Sequence, residues 1–178
     1  MILSQLQSFK ENSEKITCLT AYDASFAKLF DECGVDVILV GDSLGNVIQG
    51  SQNTLSVTMQ DMIYHTQAAA RGVQNALLIA DMPYKSYTNA EQTLKNADRL
   101  MSAGAHMIKF EGGSEHEASF KLLQANNIPV CGHLGLQPQS VVEMGGYKVQ
   151  GKDKQSAQCI LKDAKMLESW GVKTIVLE

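Results

Sequence analysis

The fold is decided by Leu77-Leu78-Ile79-Ala80-Asp81, a short apolar run that ends in a carboxylate. Three further runs have the same form: Val37-Ile38-Leu39-Val40-Gly41-Asp42, Met107-Ile108-Lys109-Phe110-Glu111 and Thr174-Ile175-Val176-Leu177-Glu178. Continuous apolar runs of this length are typical of strands that are buried on both faces, and such strands form parallel sheets. Carboxylates that follow several parallel strands lie where a (β/α) barrel carries its active site.

The alternation of side chains along a strand predicts which residues share a face with these carboxylates. Residues two apart lie on the same face. The expected groups are Asp42 with Val40 and Ile38, Asp81 with Ile79 and Leu77, Glu111 with Lys109, and Glu178 with Val176. If those faces point into a barrel, several carboxylates and one ammonium converge at its upper mouth, which indicates metal-assisted carbonyl chemistry.

Helical segments separate the strand candidates. Strands are predicted at 16–20, 35–40, 76–80, 107–110, 130–133 and 174–177, and helices at 1–12, 25–33, 58–71, 89–103, 115–126 and 155–170. The segments 41–57 and 134–151 are predicted to be long loops. Strict alternation predicts an α/β fold with a parallel sheet, either a barrel or a doubly wound sheet. A complete (β/α)8 TIM barrel takes about 250 residues, so if the sheet is a barrel, we expect residues 1–178 to be a single domain that is truncated after strand 6.

Composition argues against several classes of protein. The chain has 178 residues, 44% of them hydrophobic and 19% charged, which is enough for one well-buried domain. Its net charge of -4 disfavours nucleic acid as a partner. No apolar stretch approaches the ~20 residues of a membrane span, and residues 1–14 lack the pattern of a secretory signal. Four cysteines without a Cys-x-x-Cys pair predict a reduced, cytoplasmic protein with Cys18 and Cys131 as core thiols.

Asp42 and Asp81 are candidate ligands of a hard cation. Mg²⁺ takes oxygen ligands and is often held by one or two carboxylates. The alternative is that each aspartate caps the loop or helix that follows its strand, but the two together, beside Glu111, favour metal binding. Lys109 lies in an apolar strand, where an ammonium is costly unless it is paired. It is interpreted both as a salt-bridge partner of a carboxylate and as a binding group for a substrate carboxylate or enolate.

Three other polar residues lie at or beyond strand ends. Glu178 could act as a general base, with a solvated residue as the alternative. His133 is either a satisfied polar core residue or a group that acts in the site, and its role stays open. Ser43 lies in a glycine-containing segment that lacks the Lys-Ser/Thr pair of a P-loop and the glycine spacing of a dinucleotide motif. The backbone amides of this segment, with the Ser43 hydroxyl, could still bind a carboxylate.

Taken together, these motifs resemble those of the ketopantoate hydroxymethyltransferase family. The resemblance is carried by Thr20-Ala21-Tyr22-Asp23, Gly41-Asp42-Ser43-Leu44-Gly45, Val57-Thr58, Tyr64-His65-Thr66, Ala80-Asp81-Met82-Pro83, Lys109-Phe110-Glu111-Gly112-Gly113, Gly132-His133-Leu134-Gly135-Leu136-Gln137-Pro138-Gln139-Ser140, Gly145-Gly146-Tyr147-Lys148-Val149-Gln150-Gly151 and Val176-Leu177-Glu178. It covers the chain from Ile16 onward, and its specificity comes from the order and spacing of the motifs. What is missing is the C-terminal part of the family's barrel.

The resemblance implies a TIM barrel of the phosphoenolpyruvate/pyruvate type in an enzyme of pantothenate biosynthesis, assembled as a homo-oligomer, commonly a decamer. The implied reaction transfers a hydroxymethyl group from the co-substrate 5,10-methylenetetrahydrofolate to 3-methyl-2-oxobutanoate, giving 2-dehydropantoate by Mg²⁺-stabilised enolate chemistry. The implied site consists of Asp42, Asp81 and Glu111 at the Mg²⁺, Asp42, Ser43, Asp81 and Lys109 at the oxo acid, and Glu178 as proton acceptor. The resemblance does not identify the residues that bind folate.

Two alternative functions come from other classes of protein. Mg²⁺-dependent lyases and mutases of the isocitrate lyase and phosphoenolpyruvate mutase type also combine a barrel with enolate chemistry. Such lyases carry a cysteine-containing catalytic loop, whereas this chain has Gly112-Gly113-Ser114-Glu115 after its fourth strand. The non-enzymatic rival is an inactive fragment or an assembly subunit.

Overall fold

Six parallel strands form one sheet in a computed structural model that describes residues 3–142 and 144–178. The strands are β1 (Cys18–Thr20), β2 (Val37–Val40), β3 (Leu77–Asp81), β4 (Met107–Glu111), β5 (Val130–Leu134) and β6 (Thr174–Leu177). Each strand pairs in parallel with its neighbours in the sequence, in the order β1-β2-β3-β4-β5-β6. A doubly wound sheet reverses its order at a switch point. The uninterrupted order is therefore that of a barrel wall.

Helices connect the strands, as the alternation predicts. They are α1 (Leu3–Glu11), α2 (Ala24–Glu32), α3 (Leu44–Val47), α4 (Met59–Ala70), α5 (Ala90–Ser102), α6 (Glu117–Ala125) and α7 (Lys154–Ser169). Apart from α3, each was predicted with its ends within two residues. Of the helix predicted at 1–12, Met1 and Ile2 lie outside the described residues. Within the described part of the chain, no helix is long and apolar enough to cross a membrane.

The two faces of the sheet bury separate clusters. The outer cluster lies between sheet and helices and contains Ile38, Val40, Leu78, Ala80, Ile108 and Phe110. The inner cluster contains Val37, Leu77, Ile79, Met107 and Cys131, together with Leu6 of α1. Several of these inner residues begin their strands, so α1 packs at the amino-terminal end of the sheet. The carboxyl end of the same face carries polar residues instead.

Two predictions about individual side chains are wrong. Ile38 and Val40 belong to the outer cluster, so Asp42 does not share an inward face with them. The reason is that β2 ends at Val40, and the alternation of a strand does not extend into the turn that follows. Cys131 is a core thiol at 2% exposure, whereas Cys18 is exposed. Cys18 lies on β1, which pairs with β2 alone among the described strands.

Candidate active site

Two rows of side chains cross the carboxyl end of the sheet on its inner face. The Cα pairing between strands defines a first row of Asp81, Lys109 and Cys131, and a second row of Glu111, His133 and Val176. Met107 lies two residues before Lys109 on β4 and belongs to the inner cluster. The period of a strand therefore turns the polar residues of β4 inward as well.

Asp81 and Lys109 form a buried ion pair. The Lys109 Nζ lies 2.6 Å from Asp81 Oδ1, and the two side chains are 8% and 5% exposed. Burial alone would lower the pKa of Lys109, but the Asp81 carboxylate outweighs this effect and raises the pKa above its usual value. Lys109 is therefore cationic at neutral pH. The structure thus contains the salt bridge that the sequence offered as one interpretation of Lys109.

Gly41 makes room for the hydroxyl of Ser43 beside Asp81. It follows Val40, which pairs with Ala80, so it adjoins Asp81 across the strands. A Cβ atom on Gly41 would lie 2.9 Å from Ser43 Oγ and 3.4 Å from Asp81 Oδ2. A side chain here would be too close to the Ser43 hydroxyl and would only touch the Asp81 carboxylate, so glycine suits the close approach of Ser43. Ser43, whose Oγ is 2.8 Å from the Tyr22 hydroxyl, therefore lies beside Asp81.

Asp42 adds a second buried carboxylate next to Asp81. Its backbone N–H donates to Asp81 Oδ2 at 3.1 Å, and its own Oδ2 accepts from Gln139 Nε2 at 2.7 Å. Burial, and next the Asp81 carboxylate, raise the pKa of Asp42 to about 7, although Lys109 opposes the shift. With Glu111 also buried, these carboxylates outnumber the one ammonium beside them. The cluster therefore carries excess negative charge that a cation would neutralise.

Glu111, His133 and Glu178 form a second group above the ion pair. Glu111 is 4% exposed, and its Oε1 lies 3.4 Å from His133 Nδ1. His133 Nε2 lies 3.4 Å from Glu178 Oε2. Neither ring nitrogen makes a hydrogen bond with the described residues, although each lies 3.4 Å from a carboxylate oxygen. The Glu178 side chain is 51% exposed, and the described residues therefore bury only half of it.

The donor set fits a hard divalent cation held by few protein ligands. Within residues 3–142 and 144–178, no group of three or more His, Cys, Asp and Glu side chains forms a ready-made metal cluster. Asp42 and Asp81 nevertheless adjoin, and Mg²⁺ is commonly held by one or two carboxylates, with water and substrate completing its shell. Glu111 is linked to Asp42 through Gln139, whose backbone N–H donates to Glu111 Oε2 at 3.1 Å.

Sequence reasoning does not single out Gln139 and Tyr87. Gln139 lies in the turn Pro138–Ser140 after β5 and is buried against Asp42. The length of the predicted loop 134–151 was one signal, since long loops in compact domains are often functional. Gln139 also lies in one of the motifs that carry the family resemblance, but the resemblance assigns it no role. Tyr87, whose hydroxyl donates to Gln139 Oε1 at 2.5 Å, gives no comparable signal.

Comparison with known proteins decides the family. The family model described as ketopantoate hydroxymethyltransferase matches residues 1–178. A protein named 3-methyl-2-oxobutanoate hydroxymethyltransferase, from Ruthia magnifica subsp. Calyptogena magnifica, is 70% identical over 178 residues. The chain belongs to the ketopantoate hydroxymethyltransferase family. This membership confirms the enzyme family predicted from the motifs. The match covers 100% of this chain and 68% of the length of that relative.

Solved structures of other enzymes share the fold of this hydroxymethyltransferase family member. A phosphonopyruvate hydrolase in complex with oxalate and Mg²⁺ has a TM-score of 0.74 and 17% identity, covering 100% of this chain and 63% of that one. A 2,3-dimethylmalate lyase, a member of the PEP mutase/isocitrate lyase superfamily, has a TM-score of 0.67 and 14% identity, covering 100% and 64%. Identities this low show the fold alone. They confirm the predicted barrel type, and the rival lyases and mutases share that barrel.

Proposed function

We propose that the protein transfers a hydroxymethyl group from 5,10-methylenetetrahydrofolate to 3-methyl-2-oxobutanoate, forming 2-dehydropantoate. The oxo acid appears in the name of the 70% identical relative. The observation that carries the proposal is the buried group of Asp42, Asp81 and Lys109 at the carboxyl ends of neighbouring strands. It combines excess negative charge for a cation with a positive charge for an anionic substrate.

In this proposal Asp42 and Asp81 would hold Mg²⁺, and Glu111, in the next row, would be a further ligand, directly or through a water molecule. Bound Mg²⁺ would supply a Lewis acid that polarises the keto oxygen of the oxo acid. Lys109 has three N–H donors, of which one meets Asp81 Oδ1. The others can bind the substrate carboxylate or the enolate oxygen, where negative charge develops.

Two further residues complete the proposed site. The Ser43 hydroxyl, held by Tyr22, offers a hydrogen bond to the substrate carboxylate. Glu178 accepts the proton from C3 of the oxo acid. The resulting carbon nucleophile forms a C–C bond to the methylene carbon of the folate as one of the two C–N bonds of that carbon breaks. Water then replaces the remaining folate nitrogen, which gives the hydroxymethyl group and releases tetrahydrofolate. Glu178 is anchored by its main chain, since Leu136 N–H donates to its carbonyl oxygen at 2.9 Å. A Cβ atom on Gly135 would lie 2.3 Å from that same oxygen, so glycine permits this contact.

Exchange of the C3 hydrogen for deuterium tests the first half-reaction without folate. NMR in heavy water with Mg²⁺ should show deuterium entering 3-methyl-2-oxobutanoate. Glu178→Gln keeps the shape of the side chain but cannot take the proton, so it should lose exchange while retaining Mg²⁺ and oxo-acid binding. The control is Glu168→Gln, at an exposed position on α7.

The outcomes separate the parts of the proposal. If the Glu178 variant exchanges as fast as the wild-type protein, another group takes the proton, and His133 is the next to replace. If the wild-type protein does not exchange at all with Mg²⁺ present, the enolate chemistry is wrong. The folate donor and the homo-oligomer rest on the family resemblance alone, and the cytoplasmic location rests on the cysteine pattern and on the sequence of residues 1–14. Turnover with methylenetetrahydrofolate and light scattering of the purified protein test the first two.

A further inference from the structure

Gln139 is an uncharged residue whose hydrogen bonds reach into the acidic cluster of Asp42, Asp81 and Glu111. It is 6% exposed, and its Nε2 lies 2.7 Å from Asp42 Oδ2 and 3.0 Å from the Met82 carbonyl oxygen. Its Oε1 lies 2.5 Å from the Tyr87 hydroxyl, and its backbone N–H donates to Glu111 Oε2 at 3.1 Å. One residue of a long loop therefore contacts two of the three carboxylates of this cluster, Asp42 and Glu111.

The partners of the Gln139 amide fix its orientation. A main-chain carbonyl such as that of Met82 can only accept a hydrogen bond, so the NH₂ group must face Met82 and, beside it, Asp42. The amide oxygen then faces Tyr87, whose hydroxyl must be the donor. Burial, and next the Glu111 carboxylate, raise the pKa of Tyr87, so the hydroxyl keeps the proton that it donates. The hydrogen bonds therefore run in one direction, from Tyr87 through Gln139 to Asp42.

This chain of hydrogen bonds leaves Asp42 with one oxygen occupied and one oxygen available. Both N–H groups of the amide are used, so Gln139 cannot rotate without breaking a buried bond. Among the described residues, no hydrogen bond reaches the other oxygen, Oδ1 of Asp42. A carboxylate that is held through one oxygen presents the second at a defined angle. In metal sites, partners that hold a ligand in this way orient it and tune its affinity.

We propose that Gln139 is a positioning residue that orients the Asp42 carboxylate for a divalent cation, and that Tyr87 acts through it. The inference rests on the proposed function, because it concerns the cation site of that reaction. It assigns roles to two residues outside the proposed ligand set. It also explains why the loop after β5 sends a polar side chain into a buried acidic cluster.

Calorimetric titration of the purified protein with Mg²⁺ tests the inference. Gln139→Met keeps the length of the side chain but removes both donors, and it should weaken Mg²⁺ binding by about tenfold or more. Tyr87→Phe removes one hydroxyl and should cause a smaller loss in the same direction. The controls Gln158→Met and Tyr64→Phe change exposed side chains and should bind Mg²⁺ like the wild-type protein.

The double variant distinguishes positioning from a general structural effect. If Tyr87 acts only through Gln139, adding Tyr87→Phe to Gln139→Met should not weaken Mg²⁺ binding further. If each substitution damages the fold independently, the two losses of Mg²⁺ affinity should add in the double variant. If Gln139→Met does not fold, Tyr87→Phe alone decides: affinity below that of Tyr64→Phe supports the inference, and equal affinity overturns it. Wild-type affinity in Gln139→Met also overturns it.

Failure of the inference can be told from failure of the proposed function. If the wild-type protein binds Mg²⁺ and exchanges the C3 hydrogen while the Gln139 variant binds normally, only the inference is wrong. If Gln139→Met weakens Mg²⁺ binding but the wild-type protein does not exchange that hydrogen, the inference stands and the proposed reaction is wrong. A wild-type protein that binds no Mg²⁺ overturns the inference together with the cation site.

Discussion

Replacement of Asp42 by asparagine should stabilise the metal-free protein at alkaline pH. Burial, and next the Asp81 carboxylate, raise the pKa of Asp42 from its ordinary value of 3.8 to about 7 in the folded protein. Both influences vanish in the unfolded chain, where Asp42 has its ordinary pKa. At pH values between the two pKa values, the folded protein therefore binds more protons than the unfolded chain. The free energy of unfolding of the wild-type protein should therefore fall as the pH rises from about 4 to about 7.

The difference between the two pKa values sets the size of this effect. A tenfold change in an equilibrium constant corresponds to about 1.4 kcal/mol, so the difference between 3.8 and about 7 corresponds to about 4 kcal/mol. Asparagine is neutral at every pH, and its carbonyl oxygen can still accept from Gln139. The free energy of unfolding of Asp42→Asn should exceed that of the wild-type protein by roughly 4 kcal/mol at pH 8 and by less than about 1 kcal/mol near pH 4.

Urea unfolding in EDTA between pH 4 and pH 8, followed by circular dichroism, measures this difference. Asp98→Asn, at an exposed position on α5, is the control and should follow the wild-type curve. Added Mg²⁺ should stabilise the wild-type protein by mass action and the Asp42 variant much less. The difference between their free energies of unfolding should therefore become smaller. A gap that does not change with pH would refute the reasoning, because the site would then hold no excess negative charge for a cation to neutralise.

Two further changes test other buried ionic groups. Burial alone would raise the pKa of Asp31, but hydrogen bonds from Ala76 and Asn75 lower it. Asp31→Asn should therefore reduce the free energy of unfolding by about 1–3 kcal/mol at pH 7, and in urea titrations this loss should shrink as the pH falls through the folded-state pKa. Lys109→Met leaves Asp81 buried without its partner and should cost about 3–5 kcal/mol. In the double variant Lys109→Met/Asp81→Asn, part of the lost stability should return. Oxo-acid binding, measured by calorimetry, should not return. If binding did return, the ion pair would have a structural role alone.

The sequence predicts the part of the site that belongs to strands. β3 extends to Asp81 and β4 to Glu111, so the period of two reaches these residues and places Lys109 on their face. Asp42 lies in the turn after β2, where neighbouring side chains obey no fixed period, so the direction of its side chain could not be predicted from the apolar run. α3, with four residues, is too short to show the periodicity of a helix.

The contacts of Gln139 could not be predicted for a different reason. It reaches Asp42 across 97 positions of the sequence, and that distance is closed only when the strands between them have assembled. Composition marks its loop as long but does not say which side chain turns inward. The same holds for the position of His133 between two carboxylates, since the strand pattern predicts its row but not its neighbours.

Because side chains alternate along β4, the proposed site forms only when this strand pairs in the correct register. Lys109 and Glu111 face the acidic cluster, while the residue between them, Phe110, stacks on Phe120 of α6 at 4.5 Å between ring centroids. A slip of one residue in the pairing of β4 would turn the aromatic ring toward the cluster and two charges toward the helices. Misregistered molecules would then be both inactive and unstable. The ion pair and the aromatic stack therefore enforce the same alignment from opposite faces of one strand.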